Sequence, residues 1–380
     1  MIKIAEVKTK KHLNDFIKVP WSIYEHDKNW VPPLIVERRD ALKASQPIFK
    51  HLDWAGWVAY DESKPIARIS AQVDRAHLEY YQNTTGFFGN FESPNNSAIS
   101  KQLFLLAEQW LLSKEMTRVR GPFNLNINQE VGLLVEGFDT PPYFMMTHAR
   151  DYYGKLVEDS GYAKEMDLSA YLISPKFEPP KFMKAILKRL ERDISICPLN
   201  KKDVMAELET VRNIFNDAWS DNWGFVPFEK DEFAAIGKEM LMVIPNDFIQ
   251  IARINNEPVA FIVLLPNINE AIQDLDGKLF PFGIFKLIKR LKLGYPKTAR
   301  IPLMGVRKRL QNTRFGPGLA LSVVNALRKP AIRKGIETVE MSWILENNAG
   351  MKKIIDILGG YRSKHYRVYE KPLIPISTHN

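Results

Sequence analysis

Apolar positions in this chain fall into a series of short periods, and the series occurs twice. The first pass opens with alternation over residues 2–7, which predicts a strand, and helical pieces to residue 39 broken by Pro20, Pro32 and Pro33. Residues 54–60 and 66–73 read as two strands across the polar turn Asp61-Glu62-Ser63-Lys64-Pro65, and residues 86–92 as a third. A helix over 97–115 carries Leu103, Leu106, Ala107, Trp110 and Leu111 on one stripe. A strand at 118–123, a polar excursion over 124–146, a helix at 149–160 ended by Gly161 and a strand at 163–172 complete this pass.

The second pass repeats that order. It has a strand at 194–199, helices at 203–220 and 229–242, and strands at 248–254, 259–265 and 301–306. Gly316-Pro317-Gly318 then leads into a helix with Leu319, Val323, Ala326 and Leu327 at helical spacing, ending near Gly335. A strand at 338–345, a helix at 349–358 stopped by Gly359-Gly360 and a strand at 363–369 follow. The pattern predicts an α/β (α+β) protein made by internal duplication: two tandem mixed-sheet lobes with helices on both faces of each sheet, residues 1–175 and 176–380. Pro175, Pro179 and Pro180 mark the junction, and 380 residues exceed what one core usually serves.

Residues 277–297 interrupt the second lobe. Ile284, Leu287, Ile288 and Leu291 line one helical face there, with Lys286, Lys289 and Arg290 on the other and Phe280, Phe282 and Phe285 leading in. Two readings stay open: an anionic membrane surface takes the apolar side, or the helix packs on the core with a solvated basic side.

Net charge changes the picture only locally. The chain carries +9, yet residues 278–314 contain eleven Lys or Arg and no acid, so the remainder carries −2. That block stands beside the glycine turn, where phosphate charge would need neutralising. Cys197 is the only cysteine, which excludes an internal disulfide and suits a reducing cytosol. Without a signal-like start or a spanning apolar run, the expected location is cytoplasmic, with a peripheral position at the inner face of the membrane as its variant. The seven histidines have no spacing with carboxylates or cysteine that suggests a metal, so none is expected. Nucleic acid is a weak alternative partner, because the basic block is short.

Strand, glycine turn and helix together form an anion trap, since amides at a helix start lack intrahelical partners. This order, with Thr313-Arg314-Phe315-Gly316-Pro317-Gly318, resembles the acyl-CoA-binding half of the GNAT superfamily of N-acyltransferases. The family turn is usually Gln or Arg, two residues, Gly, one residue, Gly or Ala; here both glycines are kept and Thr313 takes the basic position. Counted from Asn348, the family's later glycine falls on Gly359, and its tyrosine position holds Ile355.

The resemblance implies an N-acyltransferase moving an acyl group from acetyl-CoA or a longer acyl-CoA to an amine, with long-chain and lipid amines among the candidates. A catalytically inactive acyl-CoA-, phosphate- or nucleic-acid-binding protein is the alternative. It places the co-substrate on Gly305, Val306, Arg307, Arg314, Phe315, Gly316, Gly318, Leu319 and Asn348, with main-chain N–H near Gly305 and Val306 facing the oxyanion. Glu346, at the end of a strand, and Glu340, within it, are the candidate bases; Glu346 also reads as a helix cap with Asn347 and Asn348. Tyr366 is a candidate proton donor to sulfur, Tyr361 and Tyr369 being others. The first lobe lacks the glycine turn, and its Glu92, Asn124, Asn126 and Glu130 are candidate acceptor ligands, with Asn128 beside them.

Overall fold

A computed structural model describes residues 2–313 and 315–374. The chain begins with strand β1 (Ile2–Glu6), helix α1 (Lys10–Ile23), α2 (Ile35–Ala41), β2 (Leu52–Asp61), β3 (Lys64–Asp74), α3 (Arg75–Tyr81), β4 (Thr85–Glu92) and α4 (Ser97–Ser113). There follow β5 (Arg118–Gly121), β6 (Phe123–Asn124), β7 (Glu130–Val131), β8 (Leu133–Glu136), α5 (Tyr153–Glu158) and β9 (Ala163–Ile173). Next come α6 (Lys181–Leu190), β10 (Ser195–Pro198), α7 (Val204–Ala218), α8 (Lys230–Leu241), β11 (Ile249–Ile254), β12 (Glu257–Pro266), α9 (Asn269–Ile272) and α10 (Gly283–Leu293). The chain closes with β13 (Thr298–Val306), α11 (Lys308–Gln311), α12 (Gly316–Arg333), β14 (Thr338–Leu345), α13 (Ala349–Ile357) and β15 (Tyr361–Pro372).

Helix starts follow capping chemistry. The side chains of Thr9, Asp74, Asn96 and Asn348 each accept from an amide of the first turn of α1, α3, α4 and α13. On α4 the buried positions Ile99, Leu103, Ala107 and Leu111 recur every fourth residue, with Phe104 beside them, while Leu106 and Trp110 of the expected stripe are only half-buried.

These elements form two compact units. Unit 1 takes the described residues up to Leu168, Ile272–Gly283 and those from Lys364 onward; unit 2 takes Ser169–Ala271 and Ile284–Ser363. The division differs from a cut at 175/176 because main-chain pairing outweighs chain order. Residues 369–372 of β15 run antiparallel to β5, and residues 365–367 pair with β8, so the end of the chain completes unit 1.

In unit 1 the strand order is β1-β2-β3-β4-β5-β15, antiparallel except for the parallel step from β4 to β5. In unit 2 it is β14-β13-β12-β11-β10, antiparallel except for the parallel step from β13 to β14. Each unit therefore has one parallel step, and a long helix, α4 or α12, provides the crossover.

Lys371 in β15 donates to both carboxylate oxygens of the buried Glu108 on α4, at 2.8 and 2.9 Å. Lys371→Met should destabilise unit 1 by about 2 kcal/mol, because it strands a buried carboxylate, and adding Glu108→Gln should recover much of that loss. Denaturant unfolding of the single and double variants checks it.

Candidate active site

In unit 2, β13 and β14 pair only at their beginnings. The parallel rungs run Thr298 to Thr338, Ala299 to Val339, Arg300 to Glu340 and Ile301 to Met341, and no later rung joins them. Beyond Ile301, β13 stays attached to β12 through Met304, Gly305 and Val306. The Arg307 amide donates to Val259 of β12 at 2.8 Å. Because main-chain groups alternate sides along a strand, the Gly305 amide faces β12 and the Val306 amide faces the gap left by β14. Of the two expected donors, only Val306 is so directed.

The carbonyls on that edge are covered. Trp219 Nε1 donates to Met304 O at 2.8 Å, and Gln311 Nε2 donates to Val306 O at 2.9 Å. Gly305 serves packing: a Cβ there would come within 2.9 Å of the Phe261 ring and 3.1 Å of Ala218. Across the gap, β14 ends at Leu345, and Glu346 follows in the turn that leads to α13, as many residues beyond Met341 as Val306 stands beyond Ile301.

The last paired rungs enclose a charged cluster. Glu340 is fully buried; its Oε1 accepts from Ser342 Oγ at 2.7 Å and lies 3.9 Å from Arg300 Nε, which donates to Ser342 Oγ at 2.8 Å. The Arg300 guanidinium sits over the Trp343 ring at 4.6 Å. A carboxylate pinned this way favours a structural role for Glu340, leaving Glu346, which is exposed, as the base candidate of this strand. The cap of α13 is Asn348, whose Oδ1 accepts from the Met351 amide at 3.0 Å, and the Glu346 main-chain carbonyl accepts from Lys352 Nζ at 2.7 Å.

The glycine turn is packed more tightly than an open phosphate cradle requires. The Gly316 amide donates to Thr313 O at 3.2 Å, and the Phe315 amide to Thr313 Oγ1 at 3.2 Å. A Cβ at Gly316 would collide with Gln311 O, and one at Gly318 with the Leu190 side chain of α6. Leu319 is fully buried. These glycines admit the start of α12 against its neighbours, a packing role beside the one expected of them at a diphosphate. Arg314 lies outside the described residues.

The adjacent basic residues also have partners. Arg307 donates to Pro258 O at 3.4 Å and Asn213 O at 3.2 Å, Lys308 pairs with Asp221 at 2.6 Å, and Arg309 pairs with Glu257 at 2.5 Å. Distant acids thus offset part of the positive block.

Unit 1 holds a second polar cluster. Glu92 Oε2 accepts from Tyr24 OH at 2.9 Å and Tyr153 OH at 2.7 Å, with Arg68 at 3.5 Å from the other oxygen. Burial pushes the Glu92 carboxyl above its usual range against the pull of Arg68, and burial followed by Glu92 pushes both phenols well above theirs. Glu130 takes Arg38 at 2.5 Å and Asn124 Nδ2 at 2.8 Å, and Asn124 Oδ1 accepts the Asn90 amide at 2.8 Å. Asn126 sits apart, accepting the Asn128 amide and facing Asp74 at 3.5 Å.

The four proposed acceptor ligands are therefore engaged by protein. The parallel step of this unit is filled as well: Phe123 O accepts from Gln72 Nε2, and a Cβ at Gly89 would overlap that carbonyl. Tyr366 is fully buried in unit 1 opposite Leu134, whereas Glu340 and Glu346 belong to unit 2.

Comparison with known proteins adds lineage to this geometry. No protein-family model matches the chain. A solved structure described as a tandem GNAT protein from the clavulanic acid biosynthesis pathway superposes with a TM-score of 0.60 over 99% of both chains at 9% identity, which shows the fold. Protein YghO of Escherichia coli (strain K12) is 45% identical over 96% of this chain and 94% of its own. A protein of Caulobacter vibrioides (strain NA1000 / CB15N) named bacterial ceramide synthase is 40% identical over 98% of each. The chain belongs to one family with these two relatives, and its fold is that of a tandem GNAT protein.

One departure from the GNAT pattern now has a structural place. Ile355, at the position where the resemblance expects a tyrosine, is fully buried on α13, so this helix offers no proton donor there. Of the missed residues of unit 1, Tyr24, Arg38, Arg68 and Tyr153, Arg68 alone had a faint signal: it shares one side of a buried strand with Ser70 and Gln72.

A raised Glu92 has a defined pH consequence. Its contribution to stability is complete below the ordinary carboxylate range and is lost as pH rises through the raised value. Glu92→Gln should flatten that dependence, read as melting temperature between about pH 4 and pH 8. An unchanged slope would remove the assignment.

Proposed function

We propose that this protein acylates a long-chain amine, taking the acyl group from a fatty acyl-CoA. The observation that carries the reading is 40% identity along essentially the whole chain to a bacterial ceramide synthase, because a ceramide is an amide of a fatty acid and a long-chain amino alcohol. The GNAT fold supports acyl-CoA as the co-substrate.

In the proposed reaction, the thioester carbonyl lies in the gap between β13 and β14 with its oxygen toward the Val306 amide. Glu346 takes a proton from the acceptor nitrogen, and the nitrogen attacks the carbonyl carbon. The tetrahedral oxyanion is stabilised by the Val306 N–H. Collapse breaks the C–S bond, forms the amide and releases CoA as a thiolate that is protonated from solvent. The direction of the Val306 amide and the exposed place of Glu346 just past the end of β14 support these roles.

Incubation of the purified protein with a long-chain amino alcohol and either palmitoyl-CoA or acetyl-CoA tests the reading by mass spectrometry of the amide. Palmitoyl-CoA should be preferred by at least about tenfold in kcat/KM, since each buried methylene contributes about 0.8 kcal/mol. Absence of amide with both donors would overturn the acceptor class.

Val306→Pro deletes a donor that β12 does not use, so pairing should survive. It should lower kcat by about a hundredfold with little change in melting temperature. Glu346→Gln should lower turnover by roughly tenfold or more while sparing CoA affinity measured by calorimetry. Unchanged turnover would remove Glu346 from the mechanism.

A further inference from the structure

We propose that the outward face of α10 docks on an anionic lipid surface. The argument begins with how this helix spends its apolar residues. A helix that merely covers a core turns its large apolar side chains inward and its charges outward. In α10, Ile284, Leu287 and Leu291 are the half-buried positions, and Arg290 Nη1 ties the helix to Ala271 O at 2.7 Å. The inward requirement is met by these residues.

The outward face nevertheless keeps three large apolar side chains. Phe285 is 69% exposed, Ile288 44% and Leu293 81%. At 100° per residue they share one side of the helix with Lys286, Lys289 and Lys292, all exposed. Exposed apolar residues interleaved with lysines match a lipid interface, where rings and aliphatic groups enter the acyl boundary and lysine stems reach back to the headgroups.

Charge selects the occupant. No acid occurs between residues 278 and 314, and α10 contributes four of the eleven basic residues in that stretch. The sequence of α10 itself carries no carboxylate, and Lys289 and Lys292 on its outward side are exposed. A bilayer with acidic headgroups complements such a face and attracts each juxtamembrane lysine. At eleven residues, α10 is about 16 Å long, roughly half a hydrocarbon core, so it lies along the surface. Among the described residues no helix is long and apolar enough to cross a membrane.

Co-sedimentation of the full chain with vesicles tests the proposal without any acyl donor or acceptor, so its outcome is separate from that of the proposed reaction. Vesicles of equimolar phosphatidylcholine and phosphatidylglycerol should retain the protein, vesicles of phosphatidylcholine alone should retain at least about tenfold less, and salt should weaken the difference. Two variants attack separate parts of the face: Lys289→Glu with Lys292→Glu, and Phe285→Ser with Leu293→Ser. Each pair should cut anionic-vesicle binding by at least about tenfold while leaving the melting temperature and the circular dichroism spectrum unchanged.

Equal retention by both vesicle types, or wild-type binding by either folded variant, would overturn the proposal. So would gel filtration showing a dimer that the Phe285→Ser, Leu293→Ser variant dissociates, with no vesicle binding by the wild type. That result would assign the face to a second copy of the chain.

Discussion

Two parallel strands that share hydrogen bonds at their beginnings and then part create an obligation that the rest of unit 2 is built to meet. Main-chain polar groups exposed by the parting must find partners, since an unpaired buried amide or carbonyl costs as much as a lost hydrogen bond. Trp219 covers one carbonyl on the β13 edge and Gln311 another. The Val306 amide points into the same gap. This asymmetry, with acceptors satisfied and a donor directed inward, is what a site for a developing oxyanion needs.

The two units solve the same geometric problem in opposite ways. In unit 1 the chain crosses its own opening, and Phe123 offers a carbonyl to Gln72 where a ligand would otherwise enter. The Ser93 amide, which lies as far in sequence from the first parallel rung as Val306 does in its unit, donates to Tyr153 OH at 3.1 Å. Tyr153 in turn rests on Glu92. The duplicated fold thus has one half whose opening is filled by its own chain and one whose Val306 amide faces a gap between parting strands.

Much of this was legible in the residues because strand and helix periods depend on local burial. The strand 338–345 and the alternation of the two lobes are direct readings of apolar spacing. The packing role of the glycines was not, because Gly316-Pro317-Gly318 does not show in sequence that Leu190 of α6 lies against Gly318. Charge was misleading for a similar reason. A run of basic residues records sequence proximity, whereas Asp221 and Glu257 reach it through the fold. Glu340 was indistinguishable from a base until the register placed Arg300 directly opposite it. Tyr24 and Tyr153 were unreadable because they meet at Glu92 from distant points in the chain.

The course of β15 bears on how the protein is made. Unit 1 takes residues 365–367 and 369–372 into its sheet, yet every residue of unit 2 precedes them in the chain. On the ribosome, which delivers the polypeptide from its N-terminus, unit 2 is therefore fully synthesised while β5 and β8 still lack their partner strand. Translation arrest or proteolysis shortly before Lys364 would leave the earlier-made unit with a bare sheet edge, so the half that emerges first is the one finished last.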